Sequence, residues 1–177
     1  MIRWVYFLIL VYVAVVLQTT VVQVLWLRTA LGYVGPELLA SVAVFVALSA
    51  RSGTDAALAG WVLGFALDLT GSGGGMGLLA LLYAAGGAGL CRVREAVFRD
   101  RAGTQVLLAL LFCLFVYQLW TAYDVLSGQI ARAQWPRQAL RAAALAAYTA
   151  VLTPLVCAGL KRLRRLLLVT PSGRERR

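Results

Sequence analysis

From Trp4 to Leu27 no charged residue interrupts the chain, and this run of 24 residues is dominated by aliphatic and aromatic side chains. A helix needs about 20 such residues to cross a hydrocarbon core of about 30 Å. The run follows Met1-Ile2-Arg3 and has no small-x-small cleavage pattern, so it reads as a retained first span rather than a leader. Gln18 and Gln23 fall in its second half and are expected to face other helices. A turn is expected at Leu31-Gly32-Tyr33-Val34-Gly35. Four more apolar segments follow, at about 36–50, 56–70, 76–91 and 104–126. A sixth covers about 139–160, with Trp135-Pro136 marking its start. Segments two to four are short and rich in glycine and alanine, which fits tilting, local bilayer thinning or a partly re-entrant group.

The pattern predicts an all-α polytopic membrane protein with about six transmembrane helices and short middle spans. Residues 1–165 are expected to form the helical domain and 166–177 a basic cytoplasmic tail. Composition supports lipid as the solvent: 62% of the 177 residues are hydrophobic and only 14% charged, with a mean hydropathy of +0.82. A soluble domain runs at roughly 45–50% apolar and about 25% charged. There is no histidine, and Lys161 is the only lysine, which removes His-based triads, His-ligated metals and nearly all lysine covalent chemistry.

The basic residues carry an orientation. With six spans and the N-terminus inside, the inner side holds Arg3, Arg51, Arg92, Arg94, Arg99, Arg101 and the seven basic residues from Lys161 onward. The outer loops hold Arg28, Arg132, Arg137 and Arg141. This asymmetry places both termini in the cytoplasm. Trp4 and Tyr6 mark one boundary, and Trp26, Trp120 and Trp135 the other. The +10 net charge is therefore an orientation signal. Nucleic-acid binding would need a folded basic surface that the pattern does not provide.

In the third segment Ala56, Gly60, Gly64 and Asp68 recur every four residues and line one helix face. The fourth answers with Gly77, Ala80, Ala84, Gly87 and Cys91. Small residues at this spacing let two backbones approach closely in lipid, so the two segments are expected to pack as a hairpin joined by Gly71-Ser72-Gly73-Gly74-Gly75. Asp68 stands near the outer end of its helix. It is open to two readings: a polar anchor or part of a ligand or proton site, or an acceptor for an arginine or for the free N–H groups of the turn that follows.

Glu37 follows Pro36 and opens the second segment, where proline at the first helical position and an acid in the first turn suit the helix dipole. Asp124 lies among Tyr117, Trp120 and Tyr123, within reach of Arg132, Arg137 or Arg141 across the outer loop. Arg137 and Arg141 share one face at the start of the sixth segment, as a snorkelling rim or as a docking surface. Glu37, Asp124, Arg137 and Arg141 are the candidate outer-side polar contacts. The glycine turn lacks the G-K-[S/T] ending of a phosphate loop. Cys91, Cys113 and Cys157 all lie in apolar segments and read as packing residues. No cofactor or metal is expected. The basic run from Lys161 to Arg165 suits the anionic inner leaflet.

The order of a first span, Gly35-Pro36-Glu37-Leu38-Leu39, Ala59-Gly60-Trp61-Val62-Leu63-Gly64-Phe65-Ala66-Leu67-Asp68-Leu69, and Gly77-Leu78-Leu79-Ala80-Leu81-Leu82-Tyr83 resembles the MreD family of bacterial rod-shape-determining membrane proteins. The specific part of the resemblance lies within about 35–92. It implies a non-enzymatic inner-membrane subunit of the cell-wall elongation machinery. Its expected partner is a bitopic MreC-like protein, through which it joins the MreB cytoskeleton to a SEDS glycosyltransferase and a class B penicillin-binding transpeptidase. It also implies a fold similar to the S-components of energy-coupling-factor transporters. That leaves a second expectation, a substrate-binding subunit of a vitamin-type carrier, with Asp68, Glu37, Gln18 and Asp124 as its only candidate pocket residues. A membrane-embedded enzyme is disfavoured: there is no G-x-S-G within a span and no D-G-x-x-A-R signature.

Overall fold

In a computed structural model, residues 4–20, 24, 26–29, 32–50, 52–70, 77–93 and 102–167 are described. Gln23, the Gly71–Gly75 turn, Arg94, Arg99 and Arg101 of the basic loop, Arg3, Arg51 and the tail from 168 lie outside the described residues. The described chain is helical apart from one short ribbon. In order it comprises α1 (Trp4–Thr20), β1 (Leu27–Thr29), β2 (Gly32–Val34), α2 (Leu38–Ser49), α3 (Gly53–Thr70), α4 (Leu78–Val93), α5 (Ala102–Leu126), a 3-10 turn (Arg132–Gln134) and α6 (Trp135–Leu167).

Two of these helices, α5 and α6, are long and apolar enough to cross a membrane. The first helix ends earlier than its uncharged run. The hydroxyls of Thr19 and Thr20 turn back onto the carbonyls of Val15 and Val16, a local bond that competes with helix continuation. Further on, Leu27–Thr29 pairs antiparallel with Gly32–Val34, Arg28 opposite Tyr33. The expected turn at 31–35 is therefore half strand. Gly32 adopts φ +112° there, a conformation other residues rarely accept.

Helix α2 is 12 residues long, about 18 Å at 1.5 Å per residue. It sits at the centre, touching α1, α3, α4, α5 and α6, and eight of its residues are buried. That is why its sequence shows no amphipathic period: a helix covered on all sides has no polar face to display. Around it stand two antiparallel hairpins, α3–α4 and α5–α6, with α1 against α2 and α3. Helix α6 runs parallel to α2, since Glu37 meets Thr149 and Ser41 meets Thr153 one turn further along both.

The α3–α4 register is fixed by backbone contact. A methyl group on Gly64 would lie 2.5 Å from the Leu79 carbonyl oxygen and 2.7 Å from the Ala80 Cα. On Gly60 it would collide with the Tyr83 carbonyl oxygen and lie 3.2 Å from the Ala84 nitrogen; on Gly87 it would come within 2.8 Å of the Ala56 carbonyl oxygen. Helix α3 begins three residues before the expected position because Ser52 caps it, its hydroxyl accepting from the Asp55 N–H at 3.1 Å, with Asp55 favourably placed in the first turn.

These contacts separate two kinds of glycine. Gly64→Ala forces the hairpin apart and is expected to cost about 1–3 kcal/mol, the range for overpacking. Gly89 stands mid-helix on α4, with nothing within 4 Å of where a methyl group would sit. Its replacement by alanine should gain about 0.5–1 kcal/mol. Unfolding of both variants in one detergent checks the sign: a drop for the first and a rise for the second.

Candidate functional site

The chemistry-bearing residues gather in three places. The first is the buried start of α2. The first turn of a helix leaves backbone N–H groups without intrahelical partners, and here those groups lie inside the bundle. The Leu38 N–H donates to Gln18 Oε1 of α1 at 2.7 Å, and the Glu37 N–H donates to Thr149 Oγ1 of α6 at 3.1 Å. The Gln18 amide nitrogen reaches the Pro36 carbonyl at 3.5 Å. Ser41 and Thr153 hydroxyls bond at 3.1 Å one turn deeper, and Thr153 also donates to the Thr149 carbonyl at 2.8 Å. A polar seam thus joins α1, α2 and α6, with Gln18 facing other helices.

Glu37 behaves differently from its expected role. The helix starts at Leu38, so Pro36 is outside it. Glu37 occupies the N-cap with extended geometry and no side-chain capping bond. Thr149 and Gln18 accept from the Glu37 and Leu38 N–H groups, and the carboxyl turns inward. It is 7% exposed, facing Tyr83 of α4 and Cys113 of α5. Glu37 Oε2 and the Tyr83 hydroxyl are both buried without a hydrogen-bond partner. Glu37 is therefore an interior group rather than an outer-side contact. Tyr83 is fully buried and its ring meets Phe112 edge-on, 5.1 Å between centroids. In the sequence Tyr83 stands out only as the end of the Gly77–Tyr83 stretch that carries the resemblance. The signal that its hydroxyl meets an acid exists only in three dimensions.

The second place is the free end of the α3–α4 hairpin. Asp68 Oδ2 accepts from the Gly77 N–H at 2.9 Å and the Ala80 N–H at 3.2 Å. These are two of the orphan donors at the start of α4, so an acid on one helix caps the next. Of the two readings of Asp68, the structure places it with the acceptor for free N–H groups. Gly77 makes no packing contact within 4 Å of a Cβ position and adopts φ +94°. Its value lies in the turn, whereas Gly60, Gly64, Ala80 and Gly87 are buried between the helices and Ala84 is half-buried beside them.

The third place is a cleft of about 410 Å³ between the end of α5 and the start of α6. Asp124 and Arg141 both line it. The Asp124 carboxyl faces the Trp120 indole one turn earlier on its own helix. Arg141 is half-buried, while Arg132 and Arg137 are exposed. Arg137 and Arg141 thus part company despite their shared helix face. All three cysteines are buried and free.

Asp68→Ala removes an acceptor from two N–H groups and is expected to cost about 0.5–2 kcal/mol, with Asp68→Asn closer to wild type. Tyr83→Phe removes the hydroxyl that the buried Glu37 carboxyl faces and is expected to cost about 1–3 kcal/mol, with the carboxyl left among apolar groups. Chemical unfolding in mixed micelles checks both.

No family model, curated protein or solved structure matches the chain.

Proposed function

We propose that the chain is a multi-pass inner-membrane scaffold similar to the MreD family, with six spans, both termini cytoplasmic and a helical arrangement like that of transporter S-components. In this reading it is not an enzyme. It binds a bitopic MreC-like protein and, through it, the glycosyltransferase, the transpeptidase and the cytoskeletal filament of wall elongation.

The observation that carries the membrane part is the distribution of apolar surface. On α5, Leu107, Leu111, Phe115 and Leu119 recur every four residues, and all are exposed. On α1, Val5, Leu8, Ile9 and Tyr12 are exposed, as are Val151 and Leu155 on α6. Apolar stripes of this extent suit lipid or partner helices, not water. Support for a contact role comes from how the motif residues are used. Gly60, Gly64 and Asp68 are consumed by the hairpin itself. The hairpin's outer face, where Trp61 and Phe65 stack at 5.5 Å between centroids, is left as the surface a partner helix would meet.

Affinity capture of the tagged chain from native membranes in mild detergent tests this reading. A single-span coiled-coil protein with wall synthases is the expected recovery, reduced several-fold by Gly64→Leu when equal amounts of folded protein are compared. Undiminished recovery with Gly64→Leu would contradict the role given to the hairpin. Recovery of energising ATPases would replace the scaffold with the carrier.

A further inference from the structure

The cleft between α5 and α6 is built from opposed chemistries. One wall carries the Asp124 carboxyl beside the Trp120 indole; the other carries the Arg141 guanidinium and the Gln138 amide. Its floor is apolar, with Leu79 of α4 and Leu145 of α6. Tyr117, whose hydroxyl is buried without a hydrogen-bond partner, lines the same space. The ribbon passes beside Arg141, whose guanidinium lies 3.9 Å from where a side chain on Gly32 would begin.

This combination selects among ligands. A purely anionic group meets Arg141 but is repelled by Asp124. A purely cationic one meets the reverse. A ligand carrying both charges satisfies both walls. A phosphate suits guanidinium and amide donors, and an ammonium suits a carboxylate with an indole beside it. The apolar floor then accepts a chain attached to the phosphate. The cleft lies at the loop-connected ends of the two helices long enough to cross a membrane. That is the depth at which headgroups and interfacial tryptophans sit.

We propose that this cleft binds a zwitterionic ammonium–phosphate group of the phosphoethanolamine type. The site is independent of whether the scaffold reading holds, because it requires only that α5 and α6 cross a bilayer.

Native mass spectrometry of the full-length, delipidated chain, titrated separately with phosphatidylethanolamine and phosphatidylglycerol, tests it. Phosphatidylethanolamine is expected to be retained with roughly tenfold preference, a difference well within what one charge-assisted contact supplies. Asp124→Asn, nearly isosteric, should abolish the preference by weakening phosphatidylethanolamine retention and strengthening that of phosphatidylglycerol, which no longer meets a like charge. Arg141→Gln should weaken both, and thermal unfolding of each variant separates loss of binding from loss of fold. Displacement of the lipid by an equal concentration of soluble phosphoethanolamine would assign the same site to a free solute; its failure to compete would assign it to the lipid. Equal retention of the two lipids by wild type, or a preference that survives Asp124→Asn, would overturn the proposal.

Discussion

A helix that begins inside a bundle must find partners for N–H groups that cannot reach water, and that requirement governs the centre of this molecule. Each such donor left unmatched in an apolar interior costs on the order of 1–3 kcal/mol. Helix α2 meets the requirement with side chains from outside itself: Gln18 of α1 and Thr149 of α6 accept from the first two N–H groups. These bonds do more than satisfy valence. They set how far α1 and α6 can slide along α2, and the Ser41–Thr153 bond one turn deeper repeats the same register. Where apolar packing between helices is weakly directional, such polar pairs provide the directional term.

The same logic recurs at the α3–α4 hairpin with different chemistry. Gly60, Gly64 and Gly87 bring the two backbones together, and Asp68 then caps the helix that this approach places beside it. Sterics and electrostatics are coupled there. A side chain at Gly64 would move the start of α4 away from its cap, so one substitution disturbs both terms. For the proposed scaffold role this means the hairpin presents an outer face on which Trp61 and Phe65 stack.

Much of the helical layout is legible in the chain. The α5 and α6 runs, the start at Trp135-Pro136 and the small-residue spacing of α3 and α4 each follow from local pattern. The ends are less so. Helix α1 has given way to extended chain by Leu27, a change that an uncharged apolar run conceals. The ribbon of Leu27–Thr29 and Gly32–Val34 has only Thr29, Tyr33 and Val34 as strand-favouring residues, and its second strand falls where a turn is expected. Glu37 looked like a first-turn acid because Pro36 precedes it. Its inward turn depends on Thr149, 112 positions away, and no local pattern reports such a partner. The cleft is likewise a property of two helix ends meeting, visible in the sequence only as an acid and several arginines across a loop.

The claim on which the rest depends is that the first N–H groups of α2 are bonded to α1 and α6 rather than left to solvent or exchange. Amide hydrogen exchange of the isotope-labelled chain in micelles measures this residue by residue. The Glu37 and Leu38 amides should exchange as slowly as those in the middle of α2, and Thr149→Val should accelerate Glu37 selectively. Rapid exchange at both amides, as at an ordinary frayed helix start, would contradict the account.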